Sequence, residues 1–217
     1  MSSFTLKLIA AAAMLIDHVG YLYFPGQIGY RMIGRLALPL FAFFITEGFR
    51  KTSDINKYLL RLFIFALLSQ IPLHYAFGPD VSLNIFATLF LGLLALRLCE
   101  IFDNPLPVLP LALFAEWVNT DYGAFGVLLI FLIHHYREDF SRLLLASLFL
   151  YVAFFVVPNY RTLLAGKFNF GLIQVFALLA FPLMNIYNGE RGPRLKYFFY
   201  FFYPGHLFIL GYLKGIL

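Results

Sequence analysis

The chain has 217 residues, of which 62% are hydrophobic, 20% aromatic and only 12% charged, with a formal net charge of +5 and a mean hydropathy of +0.83. A water-soluble domain of this length needs more polar surface, so composition excludes one and points to an integral membrane protein. The positive excess suits a membrane surface and sets topology rather than binding nucleic acid, and the single cysteine, Cys99, rules out an internal disulfide and argues against a thiolate metal site.

The predicted class is all-α, a polytopic helical bundle forming one transmembrane domain over residues 1–217. Apolar runs near bilayer length, about 20 residues, mark the spans. In chain order they are Thr5–Phe24, Tyr30–Phe49, Tyr58–Phe77, Leu83–Phe102, Leu106–Val118, Tyr122–Tyr136, Leu143–Val157, Phe168–Tyr187 and Tyr197–Leu217. The fifth and sixth are short, so the count is about nine spans, with about ten the nearest competitor. The first run lacks a small-residue cleavage site before a polar mature sequence, and it is read as a retained span.

Charge then orients the runs. The even loops hold Arg50, Lys51, Lys57, Arg61, Arg97, Arg137, Arg142, Arg191, Arg194 and Lys196, whereas the odd loops hold only Arg31, Arg161 and Lys167. The positive-inside rule places the even loops and the N-terminus in the cytoplasm.

Depth sorts the polar residues into two clusters. Lys7 and His18 are eleven residues apart in the first run, close to three helical turns, so they share a face with Lys7 about 16 Å below His18. Ionisable groups such as Asp17 and His18 inside a span are expensive and usually face a cavity or pathway. The Phe24-Pro25-Gly26 turn makes the first two runs neighbours, so Asp17, His18 and Arg35 meet at one depth, with Arg31 one turn above Arg35. Gln70, His74, Asn84, Glu116, Asn119 and Asp121 fall in the same outer half, and His206, in Tyr203-Pro204-Gly205-His206, lies midway along the last run. The inner cluster holds Glu47, Arg50, Lys51, Lys57, Arg61 and the loop Asn188-Gly189-Glu190-Arg191-Gly192, whose glycines and guanidinium groups suit phosphate oxygens.

An acid–base pair above a phosphate-friendly mouth suits a cytosolic phosphate-bearing donor with a long reactive arm, as in a coenzyme A thioester. His18 would then act as general base on an amine or hydroxyl acceptor, with Asp17 or Arg35 fixing its ring and Arg35 stabilising the oxyanion. Asn84, Asp121, His206, Tyr203 and Gln70 form the acceptor side, and Lys7, Glu47, Arg61, Asn188 and Arg191 the donor side, with no metal.

These residues lie in stretches that resemble the TraX family over nearly the whole chain. They include Met14-Leu15-Ile16-Asp17-His18-Val19-Gly20, Ile33-Gly34-Arg35-Leu36-Ala37-Leu38-Pro39, Glu47-Gly48, Ser69-Gln70-Ile71-Pro72, Asn84-Ile85-Phe86, Asp121-Tyr122-Gly123, Tyr187-Asn188-Gly189-Glu190-Arg191-Gly192 and Tyr203-Pro204-Gly205-His206. That family is similar to the membrane acyltransferase-3 superfamily, in which a basic residue, ten intervening residues and a histidine recur in an early helix; Lys7 and His18 reproduce the spacing. The resemblance implies acetyl-CoA as donor, His18 as the catalytic histidine, and a pilin N-terminus or a cell-surface glycan as acceptor. The competing reading is a transporter or channel that uses the same buried charges as an ion or proton path; it predicts uptake and no acetyl-CoA binding.

Overall fold

The computed structural model describes residues 1–167, 169–193 and 196–216; the span ends at Phe168 and Leu217 and the loop cation Arg194 lie outside the described residues. The architecture is all-α. Among the described residues the only extended pairing is an isolated parallel bridge between Leu83 and Thr120.

In chain order the helices are α1 (Ser3–Tyr23), α2 (Ile28–Gly34), α3 (Ala37–Lys51), α4 (Ile55–Phe77), α5 (Ile85–Phe102), α6 (Val108–Trp117), α7 (Gly123–His135), α8 (Phe140–Tyr151), α9 (Tyr160–Leu164), α10 (Phe170–Ile173), α11 (Ala180–Asn185) and α12 (Lys196–Ile216). Among the described residues five stretches are long and apolar enough to cross a membrane: Ser3–Tyr23, Ile28–Lys51, Ile55–Phe77, Ile85–Phe102 and Phe140–Leu164. The short fifth and sixth runs are the shorter apolar helices α6 and α7.

Local chemistry starts the helices. Ser2, Asp54, Asn84, Asp139 and Asn169 are N-caps whose side-chain oxygens accept from backbone N–H groups two or three residues on. At Asp54 the N–H of Lys57, ahead of its ammonium, holds the carboxyl below the usual aspartate range.

Prolines break the helices where the apolar pattern alone suggests continuity. The second run divides at Arg35-Leu36, four residues before Pro39. Pro39 has no N–H for the Arg35 carbonyl and its ring crowds that carbonyl. Upstream of Pro158, α8 passes into a π turn, Val152–Val156, in which the Val157 N–H reaches the Val152 carbonyl, and then into a 3-10 turn, Val157–Asn159. The eighth run forms α10, a 3-10 segment (Gln174–Leu179) and α11 instead of one helix; Pro182 cannot donate to the Leu178 carbonyl.

The chain divides into two compact units, Met1–Phe41 with Tyr136–Leu195 and Ala42–His135 with Lys196–Leu217. In the first, α1 packs along α2, and α2 and α8 pack against the 3-10 segment that precedes α11. In the second, α5 lies against α4, α6 and α7, and α4 lies against α12. Part of its core is a cluster of small and branched residues on α5, α6 and α7: Leu91, Ala95, Val108, Ala112, Ala115, Ala124 and Val127. Small residues let lipid-embedded backbones approach closely, where van der Waals packing drives association.

Candidate functional site

In the first unit the site is built on the α1–α2 hairpin. The buried stripe of α1 runs through Leu6, Ala10, Ala13, Met14, Asp17 and Gly20, at helical spacing. Lys7 and His18 flank it, both half-buried, on one unbroken helix. After Tyr23 the chain turns, with the Gln27 N–H donating to the Phe24 carbonyl at 2.9 Å.

Two glycines let the hairpin close at site depth. A Cβ at Gly20 would sit 2.2 Å from the Cβ of Tyr30, and one at Gly34 would sit 2.2 Å from Oδ1 of Asp17. No side chain can occupy either position without moving its neighbour, so both contacts depend on the missing Cβ.

The closed hairpin locks Asp17 between two arginines. Arg35 Nη2 donates to Oδ1 at 2.5 Å and Arg31 Nη1 donates to Oδ2 at 2.6 Å. Arg31 Nη1 also reaches the Asp17 carbonyl at 3.2 Å, and its guanidinium lies 5.1 Å over the Tyr21 ring. Arg35 Nε donates to the Arg31 carbonyl at 3.1 Å, which ties the two arginines to each other at the helix break. Arg35 is 3% exposed and Asp17 8%, so the carboxylate carries two charge-assisted bonds away from water. Sequence reading brings Asp17 and Arg35 together correctly. It leaves Arg31 as a bystander one turn away, whereas Arg31 is a full partner; the i, i+4 spacing of the two arginines carries that signal. Both Asp17 oxygens serve guanidinium groups.

At its start, α1 is fastened to the glycine-rich loop. The Ser3 N–H donates to the Glu190 carbonyl at 2.8 Å, the Phe4 N–H to the Arg191 carbonyl at 3.2 Å and the Asn188 N–H to the Met1 carbonyl at 3.0 Å. Asn188 Nδ2 also donates to Glu190 Oε2 at 2.8 Å. Arg191 is exposed. Lys7, Asn188 and Arg191 therefore belong to one unit and one end of α1.

In the second unit Gln70, His74, Asn84 and Asp121 gather around the N-terminus of α5. Asn84 is 1% exposed; its Oδ1 accepts from the Phe86 N–H at 3.0 Å, and its Nδ2 donates to the Ala66 carbonyl at 2.6 Å and to Gln70 Oε1 at 2.8 Å. Gln70 Nε2 in turn donates to the Ser82 carbonyl at 3.2 Å and to His74 Nε2 at 2.8 Å. These bonds make Asn84 and Gln70 the fasteners of α4, the loop after it and α5. Asn84→Ala removes the cap and two side-chain hydrogen bonds that fasten α5 to α4, so it is expected to lower stability by about 1–3 kcal/mol, read as an earlier thermal transition in detergent.

Asp121 donates its N–H to the Leu83 carbonyl at 2.6 Å, and its own carbonyl accepts from the Thr88 hydroxyl. Tyr203, 4% exposed, has its hydroxyl against the Ile85 N–H, and the Asp121 charge is close enough to act on it. His206 is buried one turn along, stacked on Phe202 with centroids 4.9 Å apart. Glu47 and Arg61 also lie in this unit. Glu47 is buried and paired with Lys51 at 2.8 Å. Arg61 lies 5.5 Å over the Tyr58 ring and donates to the Tyr200 hydroxyl, while its Nε is buried without a hydrogen-bond partner.

A multi-pass all-α membrane protein with a buried carboxylate locked between two arginines, one residue from a histidine, is the class that fold and site define. More narrowly, the chain belongs to the TraX protein family, whose model matches residues 2–214. It is 32% identical to a probable fimbrial assembly protein FimC of Dichelobacter nodosus, over 96% of this chain and 94% of that one. It is 27% identical to protein TraX of Escherichia coli, over 96% of this chain and 85% of the relative. No solved structure matches it.

Proposed function

We propose that this chain is an acetyltransferase of the bacterial inner membrane, moving acetyl from cytosolic acetyl-CoA to an amine or hydroxyl acceptor at the outer face. The observation that carries the reading is the Arg31–Asp17–Arg35 clamp beside His18, on the same helix whose first turn holds Lys7 and is tied to the Asn188–Arg191 loop. Along α1 the donor end and the reacting end are thus about 16 Å apart, which suits the long arm of a coenzyme A thioester. The charge of the loops supports a cytoplasmic N-terminus. A relative named as a fimbrial assembly protein supports a pilin-type protein acceptor over a cell-surface glycan.

His18 takes the acceptor's proton as its nitrogen or oxygen attacks the thioester carbonyl. The tetrahedral oxyanion is received by a guanidinium of the clamp, pre-aimed by Asp17 and needing no rearrangement during reaction. The intermediate collapses with loss of the coenzyme A thiolate, which recovers the proton. Lys7, Asn188 and Arg191, at one end of α1, receive the phosphates. Arg191→Ala is expected to weaken coenzyme A binding about tenfold, measured by calorimetry on the detergent-purified chain, since it removes one charge-assisted contact. Unchanged affinity moves the phosphate site off Arg191.

A further inference from the structure

We propose that Arg61, with Tyr58 and Tyr200, forms a site for the phosphodiester of an anionic phospholipid whose acyl chain lies along α4. The site falls wholly within the second unit. Arg61 stands six residues after Ile55, the first residue of α4, about 9 Å along the helix. The charge of the loops supports a cytoplasmic position for that end, the leaflet side on which anionic lipids attract cations. The guanidinium is built into the fold. Its carbon lies 5.5 Å over the Tyr58 ring, and it donates to the Tyr200 hydroxyl. Tyr58 is buried where α3 passes closest, since a Cβ at Gly48 would sit 2.6 Å from its ring. Tyr200 is stacked on Phe86 with centroids 5.9 Å apart and lies 4.9 Å from Phe65. Between these fixed rings the Arg61 Nε–H is buried with no acceptor, and among the described residues no carboxylate pairs with Arg61. A desolvated guanidinium edge without an anion is costly, and its N–H groups match two oxygens of one phosphate. Arg61 as a whole is partly exposed, so a phosphate reaches its terminal nitrogens from the bilayer. A turn of the guanidinium against the Tyr58 ring then brings Nε to a second oxygen.

Charge and shape select a lipid over the phosphates of coenzyme A. Lys51 pairs with Glu47 at 2.8 Å and Lys57 with Asp54 at 3.0 Å, which leaves Arg61 as the unneutralised cation of the three. One positive charge matches the single negative charge of a phosphodiester, whereas coenzyme A carries a diphosphate and a further phosphate. Ile64 and Leu68 follow Arg61 at i+3 and i+7, so they share its helical face, and both are exposed. On α12 the exposed Phe201 meets Phe65 at 5.1 Å, edge to face. An apolar strip thus begins one turn from the cation, the order of groups in a phospholipid from phosphate to acyl chain. A soluble phosphate ester has nothing to place on that strip.

The test titrates the detergent-purified full chain with dioleoyl phosphatidylglycerol and reads bound lipid by native mass spectrometry. Dioleoylglycerol, which has the same chains and no phosphate, is the control. The wild-type chain is expected to bind phosphatidylglycerol at least ~10-fold more tightly than dioleoylglycerol, and Arg61→Gln to lose about tenfold for phosphatidylglycerol alone, the effect of one charge-assisted contact. Arg61→Lys serves if the Gln variant does not fold; it keeps the cation, loses the fork and is expected to weaken the lipid about threefold. Coenzyme A, titrated by calorimetry against the same proteins, should bind wild type and variant alike. Equal phosphatidylglycerol affinity in wild type and folded variant, or dioleoylglycerol binding as tightly as phosphatidylglycerol, overturns the proposal. A tenfold loss for coenzyme A with the lipid unaffected also overturns it and returns Arg61 to the donor's phosphates.

Discussion

His18→Ala is expected to fold, to bind acetyl-CoA as tightly as the wild-type chain, and to transfer acetyl at least ~100-fold more slowly. The reason is local. His18 is half-buried beside the stripe that packs α1, so truncating it opens no large cavity. The clamp beside it is made by Asp17, Arg31 and Arg35 and persists without the imidazole. What disappears is the group proposed to accept a proton during attack. The check is a pair of measurements on one preparation: thermal unfolding to show an intact fold, and release of free coenzyme A thiol to show turnover. A folded His18→Ala chain with full turnover removes the histidine from the mechanism.

Asp17→Ala is the second large effect, and it appears in stability first. The substitution removes the carboxylate that both guanidinium groups share, at a site where Arg35 is 3% exposed. Breaking a buried ion pair by deleting one partner costs on the order of 3–5 kcal/mol. Asp17→Asn keeps the shape and should fall between Ala and wild type. Gly34→Ala probes the same contact from the other helix: its new methyl carbon would stand 2.2 Å from Asp17 Oδ1, so the hairpin must open to admit it. Thermal unfolding in detergent orders the variants. An Asp17→Ala chain that melts with the wild type would mean the clamp contributes no more than a surface pair.

Much of this architecture was legible in the residues, for physical reasons that differ from element to element. Apolar runs of bilayer length located α1, α4 and α5, because lipid leaves the backbone little choice but a helix. Asp17 and Arg35 could be paired because the Phe24-Pro25-Gly26 turn fixes two helices as neighbours and helical rise fixes depth. The helix breaks were not read, although Pro39, Pro158 and Pro182 announce them: a run's hydropathy is blind to a missing N–H. The clamp's second arm was also missed. In the sequence Arg31 is an odd-loop cation one turn above Arg35, and the close approach at Gly34 lets both arginines reach one carboxylate. Asn84 and Gln70 drew notice as polar residues at a membrane depth, and the structure gives each a set of hydrogen bonds that accounts for its presence. Non-local partners such as the Ala66 carbonyl carry no signature in the sequence near Asn84.

The central claim, acetyl transfer with His18 as its base, is tested most directly with isotopically labelled acetyl-CoA supplied to inside-out membrane vesicles containing either the wild-type chain or His18→Ala. The account predicts label on envelope proteins, at an α-amine located by mass spectrometry, in wild-type vesicles and only background label with the variant. Equal labelling in the two, or none in wild-type vesicles that bind acetyl-CoA, would contradict it.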